Sequence, residues 1–402
     1  MVYSISKAVV IKHRNVFFLA PPEGEVPFSQ GHGFGLYYHD CRYLNGYEIL
    51  VGEVHPEPLA ARSWEGARAV FQLTTPDFTG LDGRRIHRET VGLKWDRIID
   101  PEHSLLHERL DIQNFSSEPM EFSVTFRFRA GFEDVFEIRG LVREVKGKLY
   151  RPRWKDKCLI FAYDGADDIA RSLAIHFNPA PVTVKGNAVT YHVRLAPNES
   201  RPIRICLAIS ESHELPNTLL AQSSVYRNLP TVVQGYRYQT QEWLSHETGF
   251  QSDSVLLNKV MRRSLLDLHM LKSTIGTDEF FAAGVPWYVT LFGRDCLVTA
   301  LQTLAYGPDT AADTLRLLAR YQGTVVNSWR DEEPGKILHE LRVGELARMG
   351  KIPHTPYYGT IDATPLFLVL MSRYAAWTGD LSLFTQLRMH VDRALDWIDC
   401  YG

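Results

Sequence analysis

Phe122-Ser-Val-Thr-Phe-Arg-Phe-Arg129 places an apolar ring or branched chain at every second position, with Ser123, Thr125, Arg127 and Arg129 between them. Successive side chains of an extended strand point to opposite faces, so this spelling buries one face and wets the other. Further strand-like runs lie at 16–19, 48–51, 69–74, 105–112, 159–163, 173–177 and 203–209. Val182-Thr-Val-Lys-Gly-Asn-Ala-Val-Thr-Tyr-His-Val-Arg-Leu195 turns at Gly186-Asn187, a hairpin signal. Many short strands separated by turn residues predict two packed antiparallel sheets.

Beyond residue 210 the period changes. Residues 217–244 are polar with helix-compatible spacing and read as a linker of one or two helices. In 254–271, Leu257, Val260, Met261, Ser264, Leu268 and Leu271 fall on one helical face. Further helices are expected at 296–306, at 308–321 behind Pro308, at 365–377 before Thr378-Gly379, and after Asp380 as N-cap. The fifth repeats Leu383, Phe384, Leu387, Val391, Ala394 and Ile398 at intervals of three and four. Between the third and fourth lies a long non-periodic connection, 324–364, of the kind that usually carries function.

Composition narrows the classes. With 402 residues, two or three domains are expected. Basic and acidic residues balance at 44 and 47, which excludes nucleic-acid binding by bulk charge. Apolar residues at 45% with charged ones at 23% exclude a disordered chain. No apolar run is long enough for a membrane span, and the first fourteen residues lack a secretory pattern. Cys41, Cys158, Cys206, Cys296 and Cys400 are odd in number and scattered, against a disulfide framework or a structural zinc site. A cytoplasmic location is expected, without metal or other cofactor.

Three clusters could carry chemistry. Ala283-Gly-Val-Pro-Trp-Tyr-Val-Thr-Leu-Phe-Gly-Arg-Asp-Cys296 runs an aromatic loop into an Arg-Asp pair at a helix start. Asp295 could simply cap that helix. Alternatively Arg294 donates and Asp295 accepts, clamping adjacent sugar hydroxyls, while Trp287, Tyr288 and Phe292 face the ring's C–H surface. In Trp329-Arg-Asp-Glu-Glu-Pro-Gly-Lys-Ile-Leu-His-Glu-Leu-Arg342, the acidic run reads as solvated surface. Lys336, His339, Glu340 and Arg342 surround an apolar Ile337-Leu338 anchor, which suits a loop folded over a cleft. In Tyr357-Tyr-Gly-Thr-Ile-Asp-Ala-Thr-Pro-Leu-Phe367, Asp362 is either a helix N-cap or a working carboxyl. A helix N-terminus favours its charge, whereas a general acid needs a raised pKa. The Walker, zincin and nucleophile-elbow motifs are absent from the sequence.

In order, these clusters resemble the amylo-1,6-glucosidase group of glycogen debranching enzymes. Gly35-Leu-Tyr-Tyr-His-Asp-Cys-Arg-Tyr-Leu44 is similar to the opening G-L-[FY]-x-x-D-T-R-[FY]-L pattern of that family's N-terminal domain, with Cys41 for the usual Thr. Phe132-Glu-Asp-Val-Phe-Glu-Ile-Arg-Gly140, Ala283–Asp295, Gly335–Arg342 and Tyr358–Ala363 resemble further family segments in family order. The resemblance implies an α+β multidomain chain: a β-sandwich over 1–212, a helical linker over 213–250, and an (α/α)6 glycosidase barrel over 251–402. It implies inverting hydrolysis of terminal α-glucosyl bonds, as in α-1,6 branch stubs. Asp362 matches the general acid, and Arg294-Asp295 the pair holding the terminal sugar. Trp287, Tyr288, Lys336, His339, Glu340 and Tyr358 would line the substrate site.

A barrel of six hairpins needs twelve helices, and about five are readable after residue 254. The barrel therefore reads as truncated, with the general base beyond residue 402, and the 402 residues alone are expected to show no turnover. The faces carrying Phe367, Leu370, Leu383, Leu387 and Val391 are expected to be poorly covered. The partner is an α-glucan or oligosaccharide, not nucleic acid or membrane. Two rivals stand: a same-barrel hydrolase for another oligosaccharide or glycosylated small molecule, and a non-catalytic carbohydrate-binding protein.

Overall fold

A computed structural model describes residues 5–213, 227–276 and 278–402. The chain divides into two compact units, Met1–Arg237 and Tyr238–Gly402. Residues 214–226, part of the expected linker, lie outside the described residues.

The first unit is built of antiparallel sheets. The largest runs, in spatial order, Lys148–Leu149, Cys158–Asp164, Ala170–Asn178, Ser200–Ser212, Leu105–Asn114, Val91–Ile99, Arg68–Thr74 and Glu57–Trp64. A second sheet orders Thr183–Lys185, Ala188–Leu195, Met120–Arg129 and Gly46–Val51, and a third joins five strands between Val9–His13 and Glu133–Asp134. Phe122, Val124, Phe126 and Phe128 are fully buried while the residues between them are not, so the alternation has chosen the core face. The hairpin turns where expected: Gly186 has φ +61°, and the Asn187 side chain donates to the Phe128 carbonyl at 2.7 Å. Across the core, Tyr47 stands edge-on to Trp95 at 5.2 Å between ring centres.

Strand Val91–Ile99 is one that period two does not reveal, because Arg97 stands where the alternation of Val91, Leu93 and Trp95 calls for an apolar residue. Arg97 is nevertheless fully buried, its Nε donating to Glu108 at 2.7 Å. Glu108 also accepts from Tyr47 Oη at 2.6 Å and Trp95 Nε1 at 3.0 Å. A charge that finds its partner inside can occupy a core position that hydrophobic patterning assigns to an apolar residue.

The second unit is mainly helical. Gly293–Thr303, Pro308–Arg320, Ala363–Thr378 and Ser382–Tyr401 pack on one another. Gly379, at φ +70°, ends the third as a left-handed C-cap; the N-cap of the fourth is Leu381 and not the expected Asp380, whose carboxylate accepts from Ser382 N at 2.7 Å one residue before it. The expectation of uncovered helix faces is corrected here. Phe367, Leu370, Leu383, Leu387 and Val391 are all buried. The four helices cover one another, and the long connection adds Ile337 and Leu338, both fully buried. Helix Val255–Leu271, capped by Ser254, differs: none of its residues is buried and Leu256 is 72% exposed. Periodicity specifies the face a helix offers, not the surface that covers it.

Candidate active site

The three clusters converge through short backbone ties. Strand Leu291–Phe292 pairs with Glu340–Leu341, and Gly293 N donates to the His339 carbonyl at 2.9 Å. The Tyr357 carbonyl accepts from His339 N at 2.7 Å, and Ile337 N donates to Thr364 Oγ1 at 2.9 Å. Gly293 makes the convergence possible. A Cβ there would lie 2.1 Å from the Leu338 carbonyl oxygen and 3.2 Å from the Ala363 methyl. Without that atom, the N-termini of Gly293–Thr303 and Ala363–Thr378 come close together.

Arg294 stands between two carboxylates. Its guanidinium is 3.2 Å from Asp362 and 3.8 Å from Asp295, and all three side chains are between one third and one half exposed. Asp362 occupies the N-cap position, yet its side chain makes no capping bond. It accepts instead from the Thr360 hydroxyl and from Arg294. Asp295 likewise lies in the first turn of its helix, whose N-cap residue is Phe292. The capping alternative is set aside for both residues.

Partial burial raises the pKa of Asp362, but the Thr360 hydrogen bond and Arg294 outweigh it and hold the carboxyl below its ordinary value. Free of ligand, it is a carboxylate. Burial, assisted by Arg294, lowers the His339 pKa against the opposing Glu340 charge, which keeps the imidazole neutral. The ring lies edge-on to Phe292 at 5.6 Å and to Tyr357 at 5.9 Å.

Other candidates point their polar ends elsewhere. Glu340 is buried against His354, 2.7 Å away, and Arg342, 3.6 Å away; these partners overcome desolvation and lower its pKa. Lys336 pairs with Glu333 at 3.1 Å beside the Trp397 ring. Tyr358 donates its hydroxyl to the Tyr321 carbonyl at 2.8 Å. Trp287 is half-buried, its carbonyl accepting from Arg342 at 3.0 Å, whereas Tyr288 is 44% exposed and edge-on to Phe292. Glu332 is engaged by Arg330 and by Thr324 N, and Glu333 accepts from Trp397 Nε1 at 2.7 Å. Sequence reading missed Thr360 and His354, which position the two acids. Thr360 was within reach, two residues before Asp362. Among the described residues, the only trio close enough to share a metal ion is Asp100, Glu102 and His103, in the other unit.

Residues 11–206 match the family described as the N-terminal domain of some glycogen debranching enzymes. No protein of curated function matches the chain. A solved structure from the human microbiome, proposed to be a kojibiose phosphorylase, superposes with a TM-score of 0.63 at 9% identity, covering 97% of this chain and 57% of its own. A bacterial glucoamylase complexed with acarbose gives 0.60 at 13% identity, covering 100% of this chain and 59% of its own. The chain thus spans less than two thirds of either neighbour. At these identities the likeness is one of fold alone.

Proposed function

We propose, from the premise that this chain carries an N-terminal domain of the glycogen debranching family, that it belongs to an enzyme hydrolysing terminal α-glucosyl bonds, α-1,6 branch stubs foremost, with inversion. The observation that carries the reading is Arg294 held between Asp295 and Asp362 where two helices begin. Arg294 and Asp295 grip neighbouring hydroxyls of the terminal sugar, donor beside acceptor, and fix the ring for reaction. Asp362 delivers the proton to the leaving oxygen. For that its pKa has to rise, and a bound sugar does this by drawing Arg294 to its hydroxyls and excluding water. Inversion also needs a second carboxylate about 6.5–9.5 Å away to activate water. Glu332, Glu333 and Glu340 are bonded elsewhere, so the base belongs to the part of the fold that the neighbours span and this chain does not. The protein works in the cytoplasm.

The same commitment of the three glutamates favours a second reading, phosphorolysis, in which inorganic phosphate replaces activated water and one acid suffices. Incubating the full-length product with branched limit dextrins and isomaltose-type sugars, with and without phosphate, separates the two. Hydrolysis releases glucose regardless of phosphate; phosphorolysis releases glucose 1-phosphate only with it. Asp362→Asn should lower either rate by about 10²–10⁴-fold. A variant retaining full activity removes Asp362 from the chemistry, and binding without turnover supports a carbohydrate-binding protein instead.

A further inference from the structure

The first unit contains a groove that the reaction does not use. Among the described residues it encloses about 620 Å³, between one face of the largest sheet and the first turns of helix Leu229–His246. This is within the range of small-molecule sites. The sheet face is the one opposite Trp95, Arg97 and Glu108, because side chains alternate along Val91–Ile99. Register brings charges together: Asp96 lies opposite Arg109, and Lys94 opposite Asp111. Arg68 forks onto Asp96 at 2.9 and 2.5 Å, and Arg109 Nε binds Asp111 at 2.9 Å.

The opposite wall is fixed, apolar at Leu229, Pro230 and Val233 and polar at the exposed Gln234 and Arg237. Leu229, Val232 and Tyr236 pack with Ala67 and Ile98 and pin the helix to the sheet. The Tyr236 hydroxyl also donates to the Glu65 carbonyl. The groove is therefore preformed. Its lining carries four cations (Arg68, Lys94, Arg109, Arg237) against two anions (Asp96, Asp111), a net of +2. Arg68 and Arg109 are committed to the aspartates, and Arg237 approaches Glu65 at 3.7 Å. Lys94, exposed, has no ion pair within 4.0 Å among the described residues.

We infer that this groove binds a phosphorylated sugar. Each Arg–Asp pair presents a donor beside an acceptor, the arrangement vicinal hydroxyls need. The wall of Leu229 and Val233 covers a C–H face of the ring. The excess positive charge, with Lys94 as its uncommitted group, takes the phosphate. The site lies wholly in the first unit and does not depend on the role given to Asp362.

Isothermal titration of the full chain with glucose 6-phosphate, glucose and inorganic phosphate tests this. Glucose 6-phosphate should bind at least tenfold tighter than either of the others. Lys94→Glu should weaken it tenfold or more. Gln234→Trp, which fills the groove from its exposed wall and leaves the charges in place, should do the same. Unchanged thermal unfolding of both variants keeps these losses local. The inference is overturned if glucose 6-phosphate does not bind, if glucose or phosphate binds as well, or if either variant binds like the parent.

Discussion

Arg294, together with Thr360, holds the Asp362 carboxyl below its ordinary pKa. Replacing Arg294 with alanine removes a hydrogen bond and a positive charge from a carboxyl that both hold below its ordinary value. The Asp362 pKa should rise toward the usual carboxylate value of about 3.9, readable by carbon-13 titration of the carboxyl. Because the folded value is depressed, the stabilisation is present above the ordinary value and lost as pH falls through the folded one. Both partners are partly exposed, so water screens the pair and stability changes little. Turnover is a different matter: losing the sugar clamp should cost on the order of 10²-fold in kcat/KM. An Arg294→Ala variant with normal kcat/KM would refute the clamp. Glu108 behaves in the opposite way, with no role in chemistry and a large one in stability. It is fully buried and accepts from Arg97, Tyr47 and Trp95, while the Arg97 guanidinium lies 3.7 Å from the Trp95 ring centre. Glu108→Gln leaves Arg97 charged and poorly compensated, so the first unit should lose about 3–5 kcal/mol in urea unfolding. Pairing Arg97→Met with Glu108→Gln should recover much of that, since the buried charges leave together and an amide oxygen remains to accept from Tyr47 and Trp95. A single variant losing under about 1 kcal/mol would show that water reaches the pair.

Elements with a clean apolar period were legible because nothing competes with it. Strand Met120–Arg129 buries the residues its pattern selects, and helix Ser382–Tyr401 buries Leu383, Leu387, Val391 and Ala394 of its set, leaving Phe384 and Ile398 half-buried and adding Trp397. Elements escaped where polar residues take core positions, as in Val91–Ile99, or where strands are short, as in Gly35–Tyr38 and Cys41–Leu44. The candidate site was legible as three segments, but not in which side chains meet. That depends on close approaches such as Gly293, and period and composition do not report them. Gly293→Ala therefore makes a sharp test at this scale. Its new methyl would strike the Leu338 carbonyl, a backbone atom that cannot swing aside, and crowd Ala363. The second unit should lose about 1–3 kcal/mol, and with the helix starts pushed apart, activity should fall with it. A variant of unchanged stability and turnover would show that the site tolerates a wider opening. Gly276→Ala, with open space around its Cβ but a positive φ of +60° that Gly293 does not share, shows what backbone strain alone costs and so separates it from the crowding at Gly293.

For the whole chain, the switch from period two to a helical period announced two architectures, and both formed. What the switch could not announce was coverage, since the buried Phe367 and the exposed Val260 both stand on faces that apolar spacing selects. Both units share a further property: histidines placed where burial disfavours charge. Desolvation lowers the pKa values of His32 and His176 in the first unit and of His339 and His390 in the second. His32 is committed as a neutral ring on both sides: Nδ1 accepts from Phe34 N at 3.2 Å, and Nε2 faces the Pro27 carbonyl at 2.8 Å. Protonating Nδ1 would break the first bond. Below about pH 6.5 the unfolded chain takes up protons on these rings that the native state refuses. Stability rises with pH wherever the unfolded state binds more protons, so this contribution is complete above 6.5 and is lost as pH falls. Glu25 and Glu247, whose pKa values burial raises, act with the opposite sign but around the lower range where carboxyls titrate. Between pH 7.5 and 5.5 the histidines should therefore dominate, and urea midpoints of both units should fall. His32→Gln, which keeps a polar side chain but cannot be protonated, should flatten the fall in the first unit and leave that in the second unchanged. Midpoints that hold steady across this range, or a His32→Gln variant with the parent's full pH dependence, would mean that the native state accommodates the imidazolium after all.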